Sequence, residues 1–307
     1  MLYLPIAQLH VNGWGLFGLG LMVGCLAGFF GVGGGFLMTP LLNVLFNIPY
    51  NVAIGSSLAQ ILGLSLSATL KHRQLGQVDG KLGLLLIIGT LPGVEVGTHI
   101  IEVLKRTGTI SVVGREIAAL DLFVPLAYIL LLLSVGLLIM WESRAAQKRP
   151  PRGGKVETKA VRWMQSVSFP PLTALRESRI ERISVPILCI LGFLAGLLVG
   201  FMGVGGGFIL TPALIYIVGV PTTVAIGTNL FRVIFAAGFG CFIHTLKGNV
   251  DLLLVVVPLC GGSLGAQVGA LLTPKFRGAR IRYYFSLLTF LAVAVVAWKL
   301  LHKLGVM

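Results

Sequence analysis

Carboxylates are scarce in this chain: ten Asp and Glu stand against 24 Lys and Arg in 307 residues, and charged residues together make up 11%. A soluble domain carries about 25% charged residues. With 56% hydrophobic residues and a mean hydropathy of +0.96, no water-facing fold could hide this much apolar surface, and the bilayer is the expected solvent. The net charge of +14 does not point to nucleic acid. Ten of the 24 basic residues fall between Arg144 and Arg182, and others cluster at Lys71 to Lys81, Lys105 to Arg115 and Lys275 to Arg282, always between apolar segments. That is the distribution of positive-inside topology signals. The four cysteines, Cys25, Cys189, Cys241 and Cys260, each sit alone in an apolar stretch, which excludes a disulfide framework or a Cys/His metal site. No Walker sequence is present for ATP, and no Gly-x-Ser-x-Gly, His-Glu-x-x-His or carboxylate dyad lies in a span, so neither an enzyme nor a cofactor is expected. The first apolar segment lacks a basic flank and runs straight into a glycine motif, which argues against a cleaved signal peptide.

What is present is a duplication. Gly31-Val-Gly-Gly-Gly-Phe36, followed by Thr39-Pro40, returns 172 residues later as Gly203-Val-Gly-Gly-Gly-Phe208, followed by Thr211-Pro212. The match continues in register through Val52-Ala-Ile-Gly55 and Val224-Ala-Ile-Gly227, His72 and His244, and Val78-Asp79 and Val250-Asp251; about 23 of 56 positions agree. Residues 1–141 form a first transmembrane repeat, 142–184 a basic cytoplasmic connector, and 185–307 a second repeat. Apolar segments are expected near 14–30, 36–47, 52–70, 82–104 and 118–141, then 185–202, 208–219, 223–246, 250–273 and 283–303. In the connector, the charged stretch Thr173 to Arg182 is expected to be helical.

The segment from Phe36 to Asn47 is twelve residues, about 18 Å of helix, too short for roughly 30 Å of hydrocarbon. Either it continues the preceding segment as one broken span, giving parallel repeats, or the two form a hairpin whose tip lies inside the membrane, which inverts the second repeat. About 16 basic residues fall inside in the first arrangement and about 17 in the second, so charge does not decide. The inverted form is favoured because it gives a transporter two equivalent states by exchange of its halves. The expected fold is therefore an all-α polytopic membrane protein of two homologous, inverted repeats, each with a glycine-broken or re-entrant helix pair plus three transmembrane helices.

Consecutive glycines at this depth cost about 1 kcal/mol each against alanine in a helix and survive only where protein or a water-filled cavity satisfies the backbone. They leave amide N–H groups at the start of the next helix, where the dipole also favours an anion. This makes Gly33, Gly34, Gly35 and Phe36, with Gly205, Gly206, Gly207 and Phe208, candidates for an anion site. Arg232 is the one base deep in an apolar segment, where a cation costs at least about 2.5 kcal/mol unless paired or hydrated. Thr228 and Asn229 lie one turn back, and Ser56, Ser57 and Gln60 are their counterparts in the first repeat. Hydroxyls, amides and a guanidinium suit sulfite or a sulfonate. Glu95, the one mid-span carboxylate, is either the ion-pair partner of Arg232 or a proton-coupling acid; Gln267 takes its place in the second repeat. Asp79 and Asp251 read as helix caps, and His72 and His244 as gate or interface residues.

Together the glycine motif with its proline, the Val-Ala-Ile-Gly-Ser/Thr box and the His…Gly-x-Val-Asp ending resemble the sulfite exporter TauE/SafE family, over nearly the whole chain except the connector. The resemblance implies a multi-pass carrier in a bacterial cytoplasmic membrane for sulfur-containing anions such as sulfite, sulfoacetate and related organosulfonates. With protons as coupling ion, export by alternating access is the expected function, a passive anion channel or an uptake permease for another small organic anion being the alternative. The partners expected are a small anionic substrate and the lipid bilayer, with no nucleic acid; whether two copies form a homodimer stays open.

Overall fold

The computed structural model describes residues 1–30, 35–112, 115–148, 159–166, 169–272 and 278–304. A short hairpin, β1 (Leu2–Leu4) and β2 (Leu9–Val11), leads into α1 (Gly13–Phe30), α2 (Gly35–Phe46), α3 (Tyr50–Gln74) and α4 (Gly80–Thr107). A second hairpin, β3 (Thr109–Val112) and β4 (Arg115–Ala118), precedes α5 (Ala119–Lys148). The connector contains α6 (Lys159–Ser166) and a third hairpin, β5 (Leu172–Leu175) and β6 (Ile180–Ser184). The second half continues with α7 (Val185–Met202), α8 (Gly207–Ala213) ending in a π-helical turn (Leu214–Val218), α9 (Thr222–Leu246), α10 (Leu252–Leu272) and α11 (Gly278–Leu304). Seven of these helices are long and apolar enough to cross a membrane: α3, α4, α5, α7, α9, α10 and α11. Large apolar side chains such as Leu130, Ile190, Leu291 and Trp298 stay exposed on the outer faces, as lipid contact requires.

Two helix seams organise the molecule, each joining the first helix of one half to the fourth helix of the other. A Cβ added to Gly93 on α4 would lie 2.2 Å from the Phe193 carbonyl oxygen on α7, and one added to Gly196 would lie 2.1 Å from that of Thr90. In the seam between α1 and α10 a Cβ on Gly24 would lie 2.2 Å from the Gly262 carbonyl. Without a hydrophobic force between helices in lipid, such small residues allow backbones to touch and gain dispersion energy. Between the seams α3 and α9 run antiparallel. Gly55, near the start of α3, abuts His244 and Asn249 at the end of α9, while Gly227, near the start of α9, abuts His72 and Gln77 at the end of α3.

The twelve-residue segment turns back. The Phe46 ring, at the end of α2, lies where a Cβ on Gly15 at the start of α1 would approach to 3.2 Å. In the second half Leu214, Ile215 and Val218 share one apolar cluster with Leu188 at the start of α7. Both helix pairs are thus hairpins.

The connector differs from expectation. Thr173 to Arg182 forms a β-hairpin, not a helix, with Leu175 opposite Ile180 and Arg179 at φ +54° in the turn. Its turn is tied to the helical body: Asp79 accepts from the Ser178 hydroxyl at 2.6 Å and from the Ser178 amide at 3.2 Å. These tertiary hydrogen bonds outweigh the helix propensity of Ala174-Leu175-Arg176-Glu177, four good helix formers in a stretch too short to hold a helix alone.

Candidate functional site

The helix α7 stops at Gly203, whose φ of +69° forms a left-handed cap with its N–H donating to Val199 O at 2.8 Å. Gly205 and Gly206 also have positive φ, +73° and +71°, so side chains there would be strained as well as crowded. Every residue from Gly203 to Phe208 is buried, and the amides of Val204, Gly205 and Gly206 have no acceptor among the described residues. Unwound backbone with unused donors, at the start of α8, is the local arrangement that favours negative charge.

Arg232 of α9 reaches into this loop. It is completely buried; Nη2 donates to Gly205 O at 2.9 Å, Nη1 to Thr90 Oγ1 at 3.3 Å, and Nε has no partner among the described residues. Both acceptors are neutral. The Thr90 hydroxyl in turn donates to Leu86 O at 2.8 Å, which fixes its lone pairs toward the guanidinium. The ion pairs among the described residues, Arg106 with Glu102 and Lys303 with Asp121, lie elsewhere. A buried cation without a counter-charge is costly, and an anion bound beside it would lower that cost.

Gly33 and Gly34 of the first hairpin lie outside the described residues, while Gly35 and Phe36 are described and buried. Gly35 approaches the other loop: a Cβ on it would lie 2.1 Å from Ile61 Cδ1 and 3.2 Å from Gly203 O. Beside it, Ser57 and Gln60 line a cavity of about 10 Å³ with Gly24 and Gly262, the space of one water. The amide of Gln60 donates to Leu254 O, and Ser57 Oγ has no partner among the described residues. Phe36 and Phe208, equivalent residues of the two motifs, stack with centroids 4.7 Å apart and planes at 14°. Gly35 and Phe36, at the start of α2, therefore pack directly against the second glycine loop.

Other candidates fall away from this centre. The hydroxyls of Ser56 and Thr228 accept from the amides of Asp251 and Asp79, at 3.0 and 2.8 Å, so each belongs to a junction with the other half. Asp79 caps α4 by accepting from Leu82 N, and Asp251 accepts from Leu253 N and Ile6 N. Asn229 is buried beside Arg232 in sequence, with Oδ1 lacking a partner among the described residues. His72 Nδ1 lies 2.8 Å from Gln77 Oε1; His244 is fully buried near Gly200 O. Both histidines pack on the glycine that opens the other half's long helix, which places them at the interface of the halves. Glu95 is exposed on α4 and forms no ion pair with Arg232, because its side chain leaves the helix on the face opposite the α7 seam. Thr90 was not among the expected residues: its counterpart in the other half is Gly262, so comparing the repeats hides it.

The family model described as "Sulfite exporter TauE/SafE" matches residues 16–296. Among similar curated proteins, "Probable membrane transporter protein YunE" of Bacillus subtilis is 26% identical over 266 residues, covering 84% of this chain and 88% of its own length. A "Probable membrane transporter protein" of Xylella fastidiosa is 27% identical over 290 residues, 92% of this chain and 94% of its own. "Sulfite exporter TauE/SafE family protein 6" of Arabidopsis thaliana is 34% identical over 121 residues, 38% of this chain and 27% of its own. No solved structure shows significant similarity.

Proposed function

Since the chain belongs to the sulfite exporter TauE/SafE family, we propose that it is a secondary transporter exporting a small sulfur-containing anion, sulfite or an organosulfonate, across the cytoplasmic membrane with proton coupling. The observation that carries the reading is Arg232: a fully buried guanidinium with neutral partners, set against a glycine loop whose amides find no acceptor, both among the described residues. A tetrahedral or pyramidal oxyanion accepts from both kinds of donor at once. The relatives named as membrane transporters support the class of activity.

The halves are proposed to be inverted repeats, supported by the antiparallel α3 and α9 and by the two hairpins. The connector side is then cytoplasmic, because the junctions there hold about 17 of the 24 basic residues. The approach of Gly35 to the second glycine loop and the stacking of Phe36 on Phe208 support reading this arrangement as an occluded state. Access to Arg232 from either side would come from rocking the hairpin tips apart, and this favours alternating access over an open channel. Glu95 remains the proposed proton carrier as the mid-span carboxylate.

Purified protein in liposomes, given a pH gradient, is expected to move sulfite or a small sulfonate against its concentration gradient. Dissipation that never exceeds equilibrium would replace the carrier with a channel. Unaltered substrate affinity in Arg232→Ala would remove Arg232 from the site.

A further inference from the structure

The far side of the molecule, opposite the connector, holds a cavity of about 630 Å³ between the ends of α2, α4 and α11 and the starts of α3 and α5. Lys105, Lys299, His302 and Lys303 line it, against a single carboxylate, Asp121, which already pairs with Lys303. Lys299 is committed to the end of α2, donating to Asn43 O and to Asn47 Oδ1 at 3.0 Å. Lys105 is exposed, with no hydrogen-bond or ion-pair partner among the described residues. The far-side junctions carry only six bases, so three of the six converge on one concave surface. A recess with an excess of one sign of charge over a low-dielectric wall concentrates the opposite ion.

The recess lies at the end of α2 remote from the proposed transport centre. Asn43, Thr39 and Gly35 recur every fourth residue along one face of α2, and Asn43, with Asn47 just past the helix end, lines the cavity. From Asn43 to Gly35 is about 12 Å at 1.5 Å per residue.

We propose that this recess is a second anion site, in which Lys105, backed by Lys299 and Lys303, holds an oxyanion or sulfonate at the far end of α2 from the transport centre. It rests on the transport reading for the identity of the anion, and not for the existence of the site. The site differs in kind from the centre at Arg232: it is hydrated, made of flexible ammonium groups, and therefore weak and sensitive to salt.

The test uses Thr109→Cys, on the rim of the recess, in the full chain with its four native cysteines replaced by alanine and reconstituted in liposomes. Rates of modification by a sulfonate-bearing and by a trimethylammonium-bearing methanethiosulfonate are compared. The anionic reagent is expected to react about 3- to 10-fold faster at low salt after correction for intrinsic reactivity, with Lys105→Gln and 1 M salt each erasing most of the difference and methanesulfonate slowing it. Equal corrected rates, or a preference untouched by Lys105→Gln, would overturn the proposal. If the preference is found but neither sulfite nor sulfonate is transported, the anion site stands and the transport reading falls.

Discussion

The two glycine hairpins share a scaffold and part company in chemistry. At equivalent positions, one turn and a half beyond the box that opens the long helix, the first half has Gln60 and the second Arg232. Gln60 spends its amide on Leu254 O at the start of α10, whereas Arg232 turns to the broken backbone of its own half at Gly205. Thr90 supports the arginine, and its counterpart Gly262 offers no side chain. Duplication has therefore preserved what makes the halves fit, while one half alone supplies the fixed charge. If the proposed site lies between the two halves, one cation is enough for it, and a second would repel the first.

The most direct way to erase the difference is Arg232→Gln, which gives both halves the same residue. Anion transport is expected to fall at least about 100-fold, since two charge-assisted hydrogen-bonding arms are lost, each worth about 1.5–3 kcal/mol to an anion. Thermal unfolding in detergent should not fall, because the substitution also removes an uncompensated buried charge. Flux retained within about threefold of the parent would mean that the halves are chemically equivalent after all.

The seams should behave in the opposite way, alike in both halves. Gly24 and Gly196 are equivalent, and a Cβ on either would lie 2.2 or 2.1 Å from a carbonyl oxygen of the facing helix. Gly24→Val and Gly196→Val are each expected to destabilise by about 3 kcal/mol, at the upper end for overpacking, read as a lower midpoint in detergent unfolding. Gly18→Ala, where nothing lies within 4 Å, is the control and should be neutral or slightly stabilising. A large loss in one seam only would show that the halves do not share their packing.

The same contrast explains what the sequence made legible. Apart from the end of α5, which runs on to Lys148, and the start of α11 at Gly278, apolar segments fell within a few residues of the observed helices, and the glycine break before Phe208 is in place, because hydropathy, repeat register and positive φ are local properties. Arg232 stood out for the same reason: a charge within an apolar run is visible without coordinates. What stayed hidden depends on partners far away in the chain. The hairpin at β5 and β6 is held by Asp79, about 100 residues upstream, and the hairpin at β1 and β2 by Asp251, which accepts from Ile6 N. Thr90 is an ordinary threonine until α4 is laid against α7 and α9. Conversely, Ser56 and Thr228 were expected at the site because they share a helix with Gln60 and Arg232, but each faces the start of the other half's fourth helix.

Thr90 gives a finer test of the asymmetry. Thr90→Val keeps the shape and removes the acceptor for Arg232 Nη1, freeing the guanidinium from one of its two anchors. The expected result is a rise in KM of about 5- to 10-fold, equivalent to roughly 1 kcal/mol, with kcat less affected. Thr98→Val, about two turns further along the seam and with its hydroxyl bonded within α4 to Glu95 O, should leave KM unchanged. Equal effects of the two would reduce Thr90 to a packing residue.

The smallest effect on anion affinity is expected at Glu95, where the halves differ once more, with Gln267 as the counterpart. Both side chains are exposed on the outside of their helices, away from Arg232. Glu95→Gln therefore makes the halves alike without touching the anion, and KM should stay within about twofold. If Glu95 carries the coupling proton, the glutamine variant loses most of its response to an imposed pH gradient while equilibrative exchange of the anion continues. A pH response equal to that of the parent would assign the proton to another group and leave Glu95 a structural difference between the halves.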